Sequence, residues 1–150
     1  MTVTVGVVNG PNLNLLGTRE PEHYGTATLA DIERRLSAEA ARRGAALEFF
    51  QSNDEGTIVD RVQALAPSVD GWVVNAAALT HTSVVLRDAL QASAKPFVEV
   101  HLSNVYAREP FRHRSLLADL AIGVVAGFRA SSYVFGLHAL LDYLESRSET

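Results

Sequence analysis

The chain alternates between short uncharged runs and longer stretches in which apolar residues recur every three or four positions. Residues 3–8 are rich in valine and free of charge, the pattern of a strand buried on both faces. Asn9-Gly10-Pro11-Asn12 ends that strand, because glycine tolerates unusual dihedral angles and proline offers no ladder donor. A long polar connection follows, closed by Gly17 and Gly25. Leu29, Ile32, Leu36 and Ala40 then mark one face of a helix over 28–43. Thr28-Leu29-Ala30-Asp31 has the form of a capping box at its start, with Asp in place of the usual Glu or Gln, and Gly44 is its stop. Residues 47–50 read as a second strand. Ser52-Asn53-Asp54-Glu55 caps a second helix with Ile58, Val59, Val62 and Leu65 on one face, and Pro67 prevents its continuation. Residues 71–75 give a third strand, 82–92 a third helix and 96–101 a fourth strand. A short helix is expected over 108–115, a fifth strand over 122–126 and a closing helix over 132–146.

Strands alternating with helices argue for a parallel sheet covered on both faces. Right-handed crossovers favour a flavodoxin-like three-layer α/β/α sandwich, its five parallel strands in the order 2-1-3-4-5. No repeat, low-complexity stretch or linker interrupts the pattern, so residues 1–150 are read as one domain. In such sheets ligands bind beyond the carboxyl ends of the strands. The residues at those ends are Asn9 and Asn12, Ser52-Asn53, Asn75 with His81, and His101 to Ser103. That set is polar and poor in acids, which suits a small, oxygen-rich organic ligand.

Composition narrows the chemistry. A formal net charge of -4 gives no reason to expect nucleic acid. No apolar run reaches membrane-spanning length, and the start of the chain lacks the basic-then-apolar pattern of a signal peptide, so a cytoplasmic protein is expected. With no cysteine there are no disulfides and no thiolate nucleophile. Among 13 basic residues only Lys95 is a lysine, so a Schiff base would have to form there.

Glu99 and His101 alternate with apolar neighbours on the fourth strand and so share one side of it. The bland reading is a buried ion pair. A charge in an apolar central strand is costly unless paired, which favours a role: Glu99 orients His101 and keeps it protonated as a general acid. A metal site using His81, Glu99 and His101 lacks the short His spacings of zinc and the acid cluster of magnesium, and no metal is expected. Tyr24 and Arg19, ordinary surface residues in isolation, become interesting if both fold over the strand ends. A tyrosine acts as a base only as its phenolate, and arginines held close in a water-poor site favour that form. Arg19 is one candidate for that part and Arg108 another. Arg112 and Ser103 suit a carboxylate. Asp88, alone, reads as a surface or interface acid. A receiver domain would need acids where Asn9 and Asn75 stand, and neither a Walker sequence nor a nucleophile elbow occurs. A non-catalytic module that binds a small hydroxy acid is the alternative from another class, although it leaves Tyr24, Glu99 and His101 without a joint purpose.

The run Asn9-Gly10-Pro11-Asn12-Leu13-Asn14-Leu15-Leu16-Gly17, with Arg19, Pro21 and Tyr24-Gly25 behind it, resembles the signature of type II 3-dehydroquinate dehydratases. Further matches recur in order: Gln51-Ser52-Asn53 with Glu55-Gly56, Thr80-His81-Thr82-Ser83 with Arg87-Asp88, Glu99-Val100-His101-Leu102-Ser103-Asn104, and Ala107-Arg108-Glu109 with Phe111-Arg112. The resemblance implies a hydro-lyase that converts 3-dehydroquinate into 3-dehydroshikimate by anti elimination through an enolate. It needs no cofactor, and it serves the shikimate pathway of aromatic amino acid biosynthesis or quinate catabolism. It implies Tyr24 as the base, Arg19 as its activator, Asn12 holding a water for the enolate, and His101 with Glu99 as the acid. Asn75, His81, Leu102, Ser103 and Arg112 would bind substrate, Arg108 would contribute, and Asp88 would reach a neighbouring subunit's site. A homododecamer built as a tetramer of trimers, with a mobile lid carrying Arg19 and Tyr24, is implied as well. The chain departs from the family's pattern at Ala76-Ala77, where Pro-Gly is frequent, at Leu79, where an aromatic is frequent, and over Phe128-Arg129-Ala130-Ser131-Ser132, which replaces a more glycine-rich turn.

Overall fold

In the computed structural model, which describes residues 2–18 and 20–148, the valine run forms the strand β1 (Val3–Asn9), one residue longer than its pattern predicts. There follow α1 (Pro21–Tyr24), α2 (Leu29–Arg42), β2 (Ala45–Gln51), α3 (Glu55–Leu65), β3 (Gly71–Asn75), α4 (Val84–Ser93), β4 (Phe97–His101), β5 (Gly123–Ala126) and α5 (Ser131–Ser148). The strands form one parallel sheet in the order β2-β1-β3-β4-β5, the flavodoxin-like arrangement. Ile32, Leu36 and Ala40 of α2 and Leu137, Leu140 and Leu141 of α5 cover one face, over Val5, Val7, Val73, Val98 and Val100. Ile58 and Val62 of α3 and Leu86, Ala89 and Leu90 of α4 cover the other, over Val8, Trp72, Val74 and Phe97.

The helix starts follow their capping chemistry. Thr28 Oγ1 accepts the Asp31 N–H at 3.1 Å while Asp31 Oδ2 accepts the Thr28 N–H at 3.0 Å, a complete capping box. Asp54 caps α3 by accepting the Thr57 N–H, and Ser83 caps α4 by accepting the Leu86 N–H. That last cap starts α4 at Val84, so Thr82 stands outside the helix expected from 82.

Three expectations need correction. The polar connection after β1 is not plain loop: it holds a short 3₁₀ turn, Leu13–Leu15, and the single helical turn α1. No helix spans 108–115. Two 3₁₀ turns, Val105–Ala107 and Pro110–Arg112, stand there instead. Pro110 lacks an N–H and drives the residue before it out of the helical region, and Glu109 accordingly has ψ 144°. Gly10 is needed for space rather than for a special dihedral. A Cβ there would fall 2.2 Å from the Ala76 backbone oxygen, and the left-handed residue of this turn is Asn12, at φ 70°. Two of the departures from the family pattern also have a backbone counterpart. Ala77 and Arg129 both sit at φ 53°, a conformation that glycine adopts without the Cβ penalty.

Candidate active site

β1, β2, β3 and β4 end side by side on Asn9, Gln51, Asn75 and His101. β1 pairs with β2 on one side and β3 on the other, with Asn9 opposite both Gln51 and Asn75, so the connections diverge here and leave a crevice. The crevice holds a cavity of about 220 Å³ lined by Asn12, Tyr24, Asn75, His81, His101, Leu102, Ser103, Arg108 and Arg112, with Pro11, Leu13, Ala77, Ala78 and Val105 as further walls.

Its floor is a fixed polar network. Tyr133 of α5 is fully buried and donates its hydroxyl proton to Asn9 Oδ1 at 2.7 Å, while accepting from Asn75 Nδ2 at 2.9 Å. Asn9 Nδ2 donates to the Phe50 carbonyl, and Asn75 Oδ1 accepts the Ala77 N–H. Burial pushes the Tyr133 phenol up, against the Asn75 hydrogen bond, so it stays a hydroxyl and can donate. Each amide orientation is thereby set by its partners.

At one side of the cavity His101 Nε2 lies 2.6 Å from Glu99 Oε2, with only 2 % of Glu99 exposed. The shared strand face expected from the period of two is therefore a direct contact. Also on the cavity wall, Tyr24 is 7 % exposed, and its hydroxyl oxygen accepts from Arg108 Nη1 at 2.8 Å. The same nitrogen donates to Ser103 Oγ at 3.3 Å. Arg108 Nε is buried without a hydrogen-bond partner among the described residues, a donor open to a ligand or a neighbouring chain. Arg112 Nε donates to Glu109 Oε1 at 3.0 Å. That carboxyl is held below its usual range by its own backbone N–H and by the Arg112 guanidinium. His81 Nδ1 lies 2.8 Å from the Arg114 carbonyl, which can only accept, so Nδ1 carries the proton and Nε2 is left for the cavity. Asn12 is held through its N–H, which donates to Asn53 Oδ1.

Most of the sequence-derived site residues thus meet at one cavity. Glu99 stands behind His101 rather than on the wall, and Asp88 is exposed on α4, away from the cavity lining. Arg19 lies outside the described residues. Tyr133 and Ser115, whose hydroxyl donates to Glu99 Oε1, were not legible as site residues, since one reads as an aromatic of the closing helix and the other as the last residue of the helix expected over 108–115. Among the described residues no group of three or more His, Cys, Asp or Glu could hold a metal, and no helix is long and apolar enough to cross a membrane.

The sequence model described as Dehydroquinase class II matches residues 3–141. The chain belongs to the class II dehydroquinase family. It is 58% identical over 138 residues to the 3-dehydroquinate dehydratase of Parasynechococcus marenigrum (strain WH8102), covering 92% of this chain and 94% of that protein. It is 59% identical over 140 residues to the 3-dehydroquinate dehydratase of Azorhizobium caulinodans, with 93% and 95% covered. Among solved structures, the type II dehydroquinase from Butyrivibrio crossotus DSM 2876 superposes with a TM-score of 0.90 at 35% identity, covering 93% of this chain and 97% of that one. No observation favours a non-catalytic module over a class II dehydroquinase.

Proposed function

We propose that the chain, a type II 3-dehydroquinate dehydratase, works through Tyr24 as base and His101 as acid. The observation that supports this reading is the pairing of a phenol on a guanidinium with a histidine on a carboxylate at one cavity. Tyr24, as the phenolate favoured by Arg108 and by Arg19, takes the proton beside the substrate ketone. The C–H electron pair becomes an enolate, stabilised by a water that Asn12 helps to hold. The enolate then forms the carbon–carbon double bond, and the C–O bond to the departing hydroxyl breaks as His101 delivers a proton to that oxygen. Water leaves, and no cofactor takes part. Arg112 and the Leu102–Ser103 segment bind the substrate carboxylate, while Asn75 and His81 bind its hydroxyls.

The same reading extends to the cell. The enzyme acts in the cytoplasm, in the shikimate pathway or in quinate catabolism, as a homododecamer in which Asp88 reaches a neighbouring subunit's site. The test is incubation with 3-dehydroquinate while following the ultraviolet absorbance of the conjugated product. The wild-type chain should produce it without added cofactor and His101→Ala should be slower on the order of 10²–10⁴-fold. Near-normal turnover by His101→Ala would remove the acid from this scheme.

A further inference from the structure

The Glu99 carboxylate has two oxygens and two different neighbours. Oε2 meets His101 Nε2 at 2.6 Å, and Oε1 accepts a hydrogen bond from Ser115 Oγ at 2.7 Å. Ser115 Oγ also accepts two backbone N–H groups, from Leu117 and from Ala118, each at 3.0 Å. A serine hydroxyl has one proton and two lone pairs. With both lone pairs committed to N–H donors, its proton has only Glu99 Oε1 to go to. Oε1 therefore accepts and carries no proton of its own. The two amides behind Ser115 polarise its O–H bond, which strengthens the hydrogen bond to the carboxylate.

One proton remains to be shared between Glu99 Oε2 and His101 Nε2. The Ser115 O–H at Oε1 favours the arrangement in which Oε2 accepts as well, with the shared proton on the ring nitrogen. With Nε2 facing Glu99, the only ring nitrogen left for the cavity is Nδ1. We infer that Ser115 is a positioning residue for the reaction: it holds Glu99 as a carboxylate, so that His101 donates Nε2–H to Glu99 and presents Nδ1–H to the departing hydroxyl. The step balances without another reactant. Nδ1 gives up its proton, the C–O bonding pair goes to the oxygen, water departs, and His101 is left neutral with Nε2–H still on Glu99. Tyr24 then holds the proton taken from carbon, and exchange with solvent restores both groups.

The serine reaches Glu99 from the irregular segment after Pro110–Arg112, with Leu117 packed into the core beside it. That fixes the relay to the sheet. The inference rests on the general-acid reading of His101, and its test separates the two. Ser115→Ala should lower kcat about 10-fold, a part of the 10²–10⁴ that a general acid contributes, with KM within twofold. In a Glu99→Gln background the same change should cost less than twofold more, because the group it acts on has gone. Ser115→Thr keeps the hydroxyl and should hold kcat within threefold of the parent. In the unaltered enzyme, ¹⁵N resonances of the neutral His101 ring should show its proton on Nε2 and not on Nδ1, a readout that needs no variant to fold. A neutral ring with its proton on Nδ1, an unchanged kcat in Ser115→Ala, or an undiminished loss in the Glu99→Gln background would each overturn the inference. Failure of the His101 reading would look different, since His101→Ala itself would then keep its turnover.

Discussion

At the scale of single residues the proposed base, Tyr24, is the group on which the proposed chemistry turns. Tyr24 is buried with its hydroxyl on Arg108, and the Arg108 side chain is itself only 8% exposed. A cation in so water-poor a place interacts with a developing phenolate far more strongly than it would in bulk water. The other candidates are committed elsewhere: His101 to Glu99, Glu99 to His101 and Ser115, and the Asn9 and Asn75 amides to Tyr133. Tyr24→Phe removes one oxygen and should leave binding of a substrate analogue near normal while kcat falls on the order of 10²–10⁴-fold. Arg108→Met removes the donor that faces the phenol oxygen and should lower kcat about 10²-fold, the usual cost of deleting one hydrogen-bond donor from a developing anion. Steady-state kinetics on the two variants, with analogue titration, reads both. A Tyr24→Phe enzyme with substantial turnover would assign the proton to another group.

At the scale of elements, the turn after β1 and the turn after β3 lean on each other at the crevice. Gly10 N–H donates to the Asn75 carbonyl at 2.8 Å, which carries the ladder one residue past β1. The missing side chain at Gly10 lets this backbone pass against Ala76. Gly10→Ala should therefore cost about 1–3 kcal/mol in a denaturation experiment and also loosen the cavity wall, since the clash is with backbone and no flexible side chain can yield. An unchanged denaturation midpoint with unchanged KM would show that the two turns are not so tightly coupled. The expected start of the third helix and the expected helix over 108–115 miss for one reason. Ser83 and Pro110 each set a local backbone direction that overrides the apolar spacing around them.

For the whole molecule, the two ends of the sheet carry different chemistry. The cavity lies at the carboxyl ends of the strands, whereas Lys95 precedes β4 and lines a separate depression with Leu120, Ile122 and Arg147. A Schiff base on Lys95 would be out of reach of Tyr24 and His101. Borohydride added with substrate should leave activity intact, and mass spectrometry should find no adduct on Lys95; trapped substrate with lost activity would contradict the mechanism. The edge strand β5 and the neighbouring start of α5 expose Val124, Phe128 and Phe135, with the two phenylalanine rings 5.6 Å apart. An edge strand beside exposed apolar side chains needs cover. Phe135→Asp should lower the particle mass of the proposed homododecamer seen by light scattering, and a particle of unchanged mass would show that this face is not one of its contacts.

The sequence by itself determined the strands and the capped helices, because those follow from local periodicity and from donors a few residues away, and it pointed to the sheet order through the handedness of the crossovers. It also named the polar side chains that line the cavity, several of them because Asn12, Asn75, His81 and His101 to Ser103 stand at or just beyond strand ends and strand ends converge in a parallel sheet. Only the tertiary structure decided which of them touch. Arg108 reaches Tyr24 across 84 residues, Tyr133 joins Asn9 to Asn75 from a helix 58 residues beyond the latter, and Ser115 caps Glu99 from a segment with no periodicity. Such contacts depend on how far apart two elements come to rest, and core packing sets that distance to within an ångström or so. No spacing along the chain encodes it.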